Sequence, residues 1–302
     1  MKLLGPDVSH FQSRVDWAKV AAHGESFGAC KATDGPTNVD ARFSRNWSDM
    51  KTAGIDVRIA YHYAHTESSA RMQADHFLKT VGSIGAGDVL CLDAEDVCHD
   101  STKVSPRDTA HWVRDFLDQV VGSTGLSRHR VLLYTGQWWW DDRTGRSTVA
   151  AAHPLWVSDY KNNPPHLPAG WTHYALHQFT SSDHVDGVPT HVDRSSFNGS
   201  LQDLRALAGL TGEPGAPSTV QTTFDNAAGT APDLTKLTFG AQNEDVRALQ
   251  AQLVARGFFV EVTGFYGDHT KAAVMAFQQS RPELAVDPDG DMGPLTLRLL
   301  FG

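Results

Sequence analysis

The stretch Val89-Leu90-Cys91-Leu92 runs without a break into Asp93-Ala94-Glu95-Asp96, and few folds accommodate that junction. A short continuous apolar run reads as a strand buried on both faces, the kind found in parallel sheets covered by helices. Asp93 and Glu95 follow, two apart, at its C-terminal end. Residues i and i+2 of a strand share a face. Their Cβ atoms then lie roughly 6–7 Å apart, given a rise of about 3.3 Å per residue. Like charges that close cannot both ionise freely, so one proton is held more tightly than usual. Hydrolysis of a glycosidic bond needs such a pair: one carboxylic acid to protonate the leaving oxygen and one carboxylate to stabilise developing positive charge. An isolated Asp-x-Glu is more often a solvated loop after a strand, so the surrounding pattern has to decide.

That pattern repeats the junction. A short strand closes at Asp7, and apolar runs follow at 26–35, 55–64, 88–95, 130–135, 154–160, 173–180 and 188–197. Segments at 17–22, 44–53, 67–81 and 106–121 carry helical apolar spacing, and Ser105-Pro106 supplies an N-cap and first-turn proline. Strands alternating with helices imply parallel pairing and right-handed crossovers. The spacing predicts a compact α/β fold, an incomplete (β/α) barrel that becomes irregular between residues 140 and 200, where helices fade. Active sites of such barrels lie at the C-terminal strand ends. Asp7, Lys31, Tyr61, His62, Asp93, Glu95, Tyr134, Gln178 and Asp193 all collect there. Trp138, Trp139, Trp140, Trp156, Trp171 and Phe179 lie near strand ends too, and flat aromatic faces suit the apolar faces of sugar rings. At least two of the Trp138–Trp140 trio should be packing, since three consecutive side chains cannot share one cleft.

The remaining chain is different. Residues 210–235 are rich in Pro, Gly, Thr, Ser and Ala without apolar period, which predicts a linker. Residues 236–302 predict a small all-α unit of three helices. In it Val246, Leu249, Leu253 and Val254 form one face of the first helix, and Ala273, Val274 and Phe277 face inward from the second. Gly264-Phe265-Tyr266-Gly267 and Asp289-Gly290-Asp291-Met292-Gly293 are matching turns, the mark of an internal duplication. This unit has no titratable cluster and reads as a binding module. A net charge of −9 argues against nucleic acid as a partner. No apolar run approaches the length of a membrane span, and the N-terminus turns polar too soon for a signal peptide. Of the three cysteines, Cys30 and Cys91 fall in strand-like runs and are expected as buried free thiols; Cys98 leaves the count odd.

Taken in order, GPDVSHFQ, KATDG, YHYA, LCLDAED, LLYTGQWWW, PLWVSDY, LHQFTSS and HVDRSSFNG resemble the glycoside hydrolase family 25 lysozymes, the Chalaropsis-type N-acetylmuramidases. The resemblance covers residues 5–200 and implies a flattened, irregular barrel. It also implies cleavage of the β-1,4 bond between N-acetylmuramic acid and N-acetylglucosamine in bacterial peptidoglycan. By the same resemblance Glu95 is the general acid, Asp93 its partner carboxylate, and Asp7 and Asp193 the other two acids of the cleft. Tyr61, Tyr134, Trp156 and Gln178 match substrate-contact positions, and Lys31 and His62 join them as candidates from their strand-end location. Residues 236–302 are similar to type 1 peptidoglycan-binding domains in the LQAQL helix, GFYGDHTKAAVMAFQ and DGDMGPLTLRLL. Residues 1–209 are then the catalytic domain. The combination resembles a phage endolysin made in the host cytoplasm and acting on the wall after release. A monomer is expected, with no metal and no cofactor. Asp34, His177 and Phe11 stand where the family has Glu, Trp and Trp.

Three alternatives carry their own discriminators. A chitinase-like hydrolase also uses a strand-end Asp-x-Glu, but with a longer acidic run; Cys91 occupies the position two before Asp93. A zinc amidase needs a metal-ligating motif such as His-Glu-x-x-His, which the sequence lacks. A non-catalytic wall-binding protein has no need of four clustered acids.

Overall fold

A computed structural model of the chain describes residues 2–95, 104–210, 232–256, 258, 260, 262–281, 284 and 288–301. Asp96, Cys98 and most of the expected linker lie outside them. The chain divides into two compact units, Met1–Glu213 and Pro214–Gly302.

The first unit is a closed eight-stranded barrel. Six parallel pairings run through β1 (Leu3–Val8), β2 (Phe27–Asp34), β4 (Val57–Tyr63), β5 (Asp88–Asp93), β6 (Val131–Thr135), β7 (Leu155–Ser158) and β8 (Leu176–Asp183). β9 (Val192–Phe197) closes the ring, antiparallel to both β8 and β1. All strands were expected parallel. The eight residues between β8 and β9 are too few for a crossover, so the chain turns back as a hairpin. β3 (Asn38–Val39) adds a short antiparallel flap to β2.

The period of two sorts each strand's side chains. Phe27, Ala29, Val57, Ile59, Val89, Cys91, Leu132, Tyr134, Trp156, Leu176 and Phe197 fill the interior as one cluster. Gly5 permits this filling, because a Cβ there would come within 2.5 Å of the Phe27 ring. Cys30, Ala60, Leu90, Leu92, Leu133 and Val157 face outward and pack against a helical layer. That layer is α1 (Trp17–His23), α2 (Phe43–Thr52), α3 (Ala70–Val81) and α4 (Pro106–Thr124). Ser69 and Ser105 cap α3 and α4 through backbone N–H groups of Met72 and Asp108, and Gly125 ends α4 in the left-handed region.

Two helices were not expected. α5 (Gln137–Arg143) buries Trp139 and Trp140 and leaves Trp138 55% exposed, which agrees with the expectation that two of the three pack. α6 (Leu201–Leu207) starts on a Ser200–Asp203 capping box. Its Leu204 and Leu207 join the interior cluster beside Phe27 and Val57, so α6 floors the barrel at the end where the parallel strands begin. Beneath that end Arg58 pairs with Asp88.

The second unit holds α7 (Glu244–Ala255), α8 (Asp268–Gln279) and α9 (Pro294–Phe301) around Leu237, Val246, Leu249, Leu253, Tyr266, Val274, Phe277 and Leu300. Val254, expected on the apolar face, is exposed, because helical spacing from Val246 and Leu249 selects Leu253 and turns its neighbour outward. The duplication seen in the turns extends to the helices. Gln250 accepts from the Gly264 N–H at 2.7 Å and donates to Phe265 O and Thr270 Oγ1. Gln278 accepts from the Gly290 N–H at 2.8 Å and donates to Asp291 O and Thr296 Oγ1. In both, a buried amide pins the turn that opens the next helix, and a glycine at positive φ makes the turn (Gly264 +79°, Gly290 +75°). Among the described residues no helix is long and apolar enough to cross a membrane.

Candidate active site

Register brings the polar strand ends to one rim. Asp7 of β1 pairs directly with Asp193 of β9, and because β9 runs backwards Asp193 lies near its beginning. Tyr63, Asp93, Tyr134 and Trp156 stand level on four adjacent strands, and Ser158 faces Gln178. Partners on neighbouring strands share a face. The inward-facing set therefore includes Asp7, Lys31, Tyr61, Asp93, Tyr134, Trp156 and Gln178, with Glu95 two residues beyond Asp93.

A hydrogen-bond network joins them. Gln178 Nε2 donates to Asp7 Oδ2 at 3.0 Å. Gln178 Oε1 accepts from Tyr134 Oη at 2.8 Å and from Tyr160 Oη at 2.6 Å. Tyr134 Oη also lies 3.3 Å from Glu95 Oε2. The Tyr61 hydroxyl reaches Val8 O at 3.4 Å. Lys31 Nζ binds Asp34 Oδ2 at 3.0 Å and sits over the Tyr63 ring, while His65 holds the other Asp34 oxygen at 2.8 Å. Asp93 Oδ1 is buried and has no hydrogen-bond partner among the described residues. An orphaned buried acceptor is costly unless it keeps a proton or receives a ligand donor.

The cluster holds its protons tightly. Burial pushes Glu95 up to about 7, the Asp193 charge adds to this, and Tyr134 and Lys31 oppose it. Asp93 is raised well above the usual carboxylate range, first by burial and then by the Glu95 charge, against the pull of Lys31. Asp7 is raised by burial and by Asp193, with Gln178 opposing. Asp193 rises to about 6 through burial. Four acids sharing one rim thus cannot all be ionised at neutral pH. Among the described residues no set of three or more His, Cys, Asp or Glu is arranged to hold a metal ion.

Two expected contact residues sit elsewhere. His62 is fully buried on the outward face of β4, stacked on Phe116, with its nitrogens bonded to Thr33 Oγ1 and Gln73 Oε1 at 2.8 Å each. Burial lowers its pKa to about 3, so it is neutral and structural. The alternation that turns Tyr61 and Tyr63 inward turns His62 away. Trp156 faces inward but is 2% exposed, packed edge-on to Tyr134 with its N–H on Ser195 Oγ at 2.9 Å. It supports the rim from below. His177 is also buried, bonded to Asp159 O at 2.7 Å. Cys30 and Cys91 are buried free thiols. Conversely, Tyr160 belongs to the network and is 50% exposed. Its signal was present, as an aromatic two residues past the end of β7, but no spacing rule selected it.

Residues 6–188 match the sequence pattern of glycosyl hydrolases family 25, and residues 242–300 that of a putative peptidoglycan binding domain. Lysozyme M1 of Streptomyces globisporus is 34% identical over 214 residues, covering 68% of this chain and 71% of that protein. The N,O-diacetylmuramidase of Chalaropsis sp. is 28% identical over 215 residues, covering 68% of this chain and 98% of that protein. In structure, the chain is similar to the bacterial lysozyme from Streptomyces coelicolor, with a TM-score of 0.63 and 33% identity over 69% of this chain and 97% of that one. The muramidase from Trichobolus zukalii gives a TM-score of 0.62 and 32% identity over 68% of this chain and 98% of that one.

Proposed function

Because the chain belongs to glycosyl hydrolases family 25, we propose that Glu95 and Asp93 carry out hydrolysis of the peptidoglycan glycan strand. The enzyme is a muramidase that cleaves the β-1,4 bond between N-acetylmuramic acid and N-acetylglucosamine. The observation that carries the assignment of roles is the pKa of about 7 at Glu95, two residues beyond a second buried acid on the same face. An acid that keeps its proton near neutral pH can give it to the glycosidic oxygen. With the proton of the coupled pair on Glu95, Asp93 is the carboxylate that stabilises the positive charge that grows as the bond breaks. Its Oδ1, without a hydrogen-bond partner among the described residues, is an acceptor for the N–H of a 2-acetamido group, which would aim that group's oxygen at the anomeric carbon. Substrate assistance of this kind gives an oxazolinium-like intermediate and net retention, one of the recognised exceptions to the two-carboxylate scheme. Asp193 adds negative potential that keeps Glu95 protonated. Lys31 and Tyr61 line the same rim as substrate contacts.

Residues 1–209 are read as the catalytic domain, 210–235 as a linker and 236–302 as a wall-binding module. The division into two compact units and the match over residues 242–300 support this. A hydrolase joined to a wall-binding module suits a phage endolysin that works as a monomer on the wall of its host.

The test digests peptide-trimmed peptidoglycan, reduces the products with borohydride and identifies the reduced sugar by mass spectrometry. Reduced muramic acid is expected; reduced glucosamine would overturn the bond assignment. Glu95→Gln should lower kcat at least 10²-fold, the low end for general acid catalysis. Near-parental activity in that variant would remove Glu95 from the role. An H-1 NMR time course should show the retained anomer first.

A further inference from the structure

The orientation of Gln178 depends on groups that face it from three sides. Its Nε2 donates to Asp7, which fixes the amide and aims Oε1 at two phenols, Tyr134 at 2.8 Å and Tyr160 at 2.6 Å. A carbonyl oxygen has two lone pairs, so both phenols can donate to it at once. Tyr134 Oη is also 3.3 Å from Glu95 Oε2. A phenol has one proton, so Tyr134 can serve Gln178 or Glu95 fully, but not both. The geometry points to Tyr160 as a positioning residue for catalysis, one that keeps Gln178 Oε1 satisfied while Tyr134 turns its proton to Glu95.

This rests on the assignment of Glu95 as the acid, and the proton balance is simple. While Glu95 is protonated, Tyr134 donates to Gln178. When the glycosidic bond breaks, the Glu95 proton passes to the leaving oxygen and its electron pair stays on the carboxylate. The Tyr134 O–H then rotates about its C–O bond and donates to Oε2, with no covalent bond broken in the protein. Tyr160 stays on Gln178 throughout, so the buried amide oxygen never loses its last donor. Recovery of a proton by Glu95, from the attacking water, returns Tyr134 to Gln178. Without Tyr160, that oxygen would hold the Tyr134 proton, because an unpaired buried acceptor is costly. The other charged groups facing Glu95 are Asp193 of β9, Lys31 of β2, Asp7 of β1 and its own neighbour Asp93; Tyr134 also faces Asp93, and Tyr160 faces Asp193 and Asp7, so the double variant is needed to separate the route through Gln178 from these direct effects.

The test is the pH profile of kcat and kcat/KM for Tyr160→Phe, Tyr134→Phe and the double variant, each with a thermal melt. A donor to the carboxylate favours ionisation, so losing it raises the pKa and carries the alkaline limb upward. Tyr134→Phe should move that limb up by about 0.5–1 pH unit, a three- to ten-fold change in the dissociation constant expected for one hydrogen bond. Tyr160→Phe should move it in the same direction, and should add nothing in the Tyr134→Phe background. A limb that stays in place in Tyr160→Phe, whether or not its melting temperature falls, would overturn the proposal. So would equal shifts in both backgrounds. Activity retained by Glu95→Gln would overturn the acid assignment instead, so the two failures are distinguishable.

Discussion

At the scale of single residues, the acids proposed to serve chemistry work against stability. Glu95 binds its proton with a pKa of about 7 in the folded chain, against about 4.3 when exposed. Between those values the folded state holds the proton more tightly than the unfolded state, so stability falls as pH rises. The contribution is fully present below pH about 4 and lost as pH passes about 7. Glu95→Gln should therefore raise stability at pH 8 by on the order of 1–3 kcal/mol and leave it unchanged at pH 4. Urea titrations at the two pH values check this, and an equal gain at both would contradict it. Candidate acids were legible in the sequence where the signal is local: Asp93 and Glu95 stand two apart at a strand end, and the structure puts them at one rim. His62 was misplaced because β4 is buried on both faces. With apolar neighbours on either side, the run from Val57 to Tyr63 does not say which parity faces the barrel axis. Tyr160 closed the expected strand 154–160 but was not singled out; β7 ends at Ser158, and the fold brings Tyr160 to Gln178.

At the scale of elements, the barrel strands were legible because buried parallel strands read as apolar runs. The antiparallel return of β9 was legible in principle, since the chain between β8 and β9 is shorter than a crossover. α6 was not, because seven residues with two buried leucines carry little periodic signal. Its role is nonetheless testable. Leu204→Ala removes a fully buried side chain from the barrel floor, at a cost of about 2–5 kcal/mol. The melting temperature should fall on the order of 5–15 °C. Because Leu204 packs at the end opposite the acids, kcat below the melting range should stay near the parental value. A selective loss of kcat without loss of stability would show that the floor and the rim are coupled.

For the whole molecule, two separate cores imply two separable activities. A chain ending at residue 210 should cleave soluble glycan fragments at the parental rate but sediment poorly with intact cell walls. Residues 232–302 alone should sediment with the walls and cut nothing. Co-sedimentation and a reducing-sugar assay measure both, and a truncated chain that still binds walls fully would remove the binding role from the second unit. The same reversed strand that places Asp193 beside Asp7 also pairs Leu3 with Phe197. The first strand therefore enters, and the last strand leaves, side by side at the floor of the barrel. The candidate acids gather at the opposite rim. For protein engineering this makes the unit a candidate for circular permutation, with Leu3 and the end of α6 bridged beneath the floor and new termini opened in the exposed turn that follows α5, at Gly145 and Arg146.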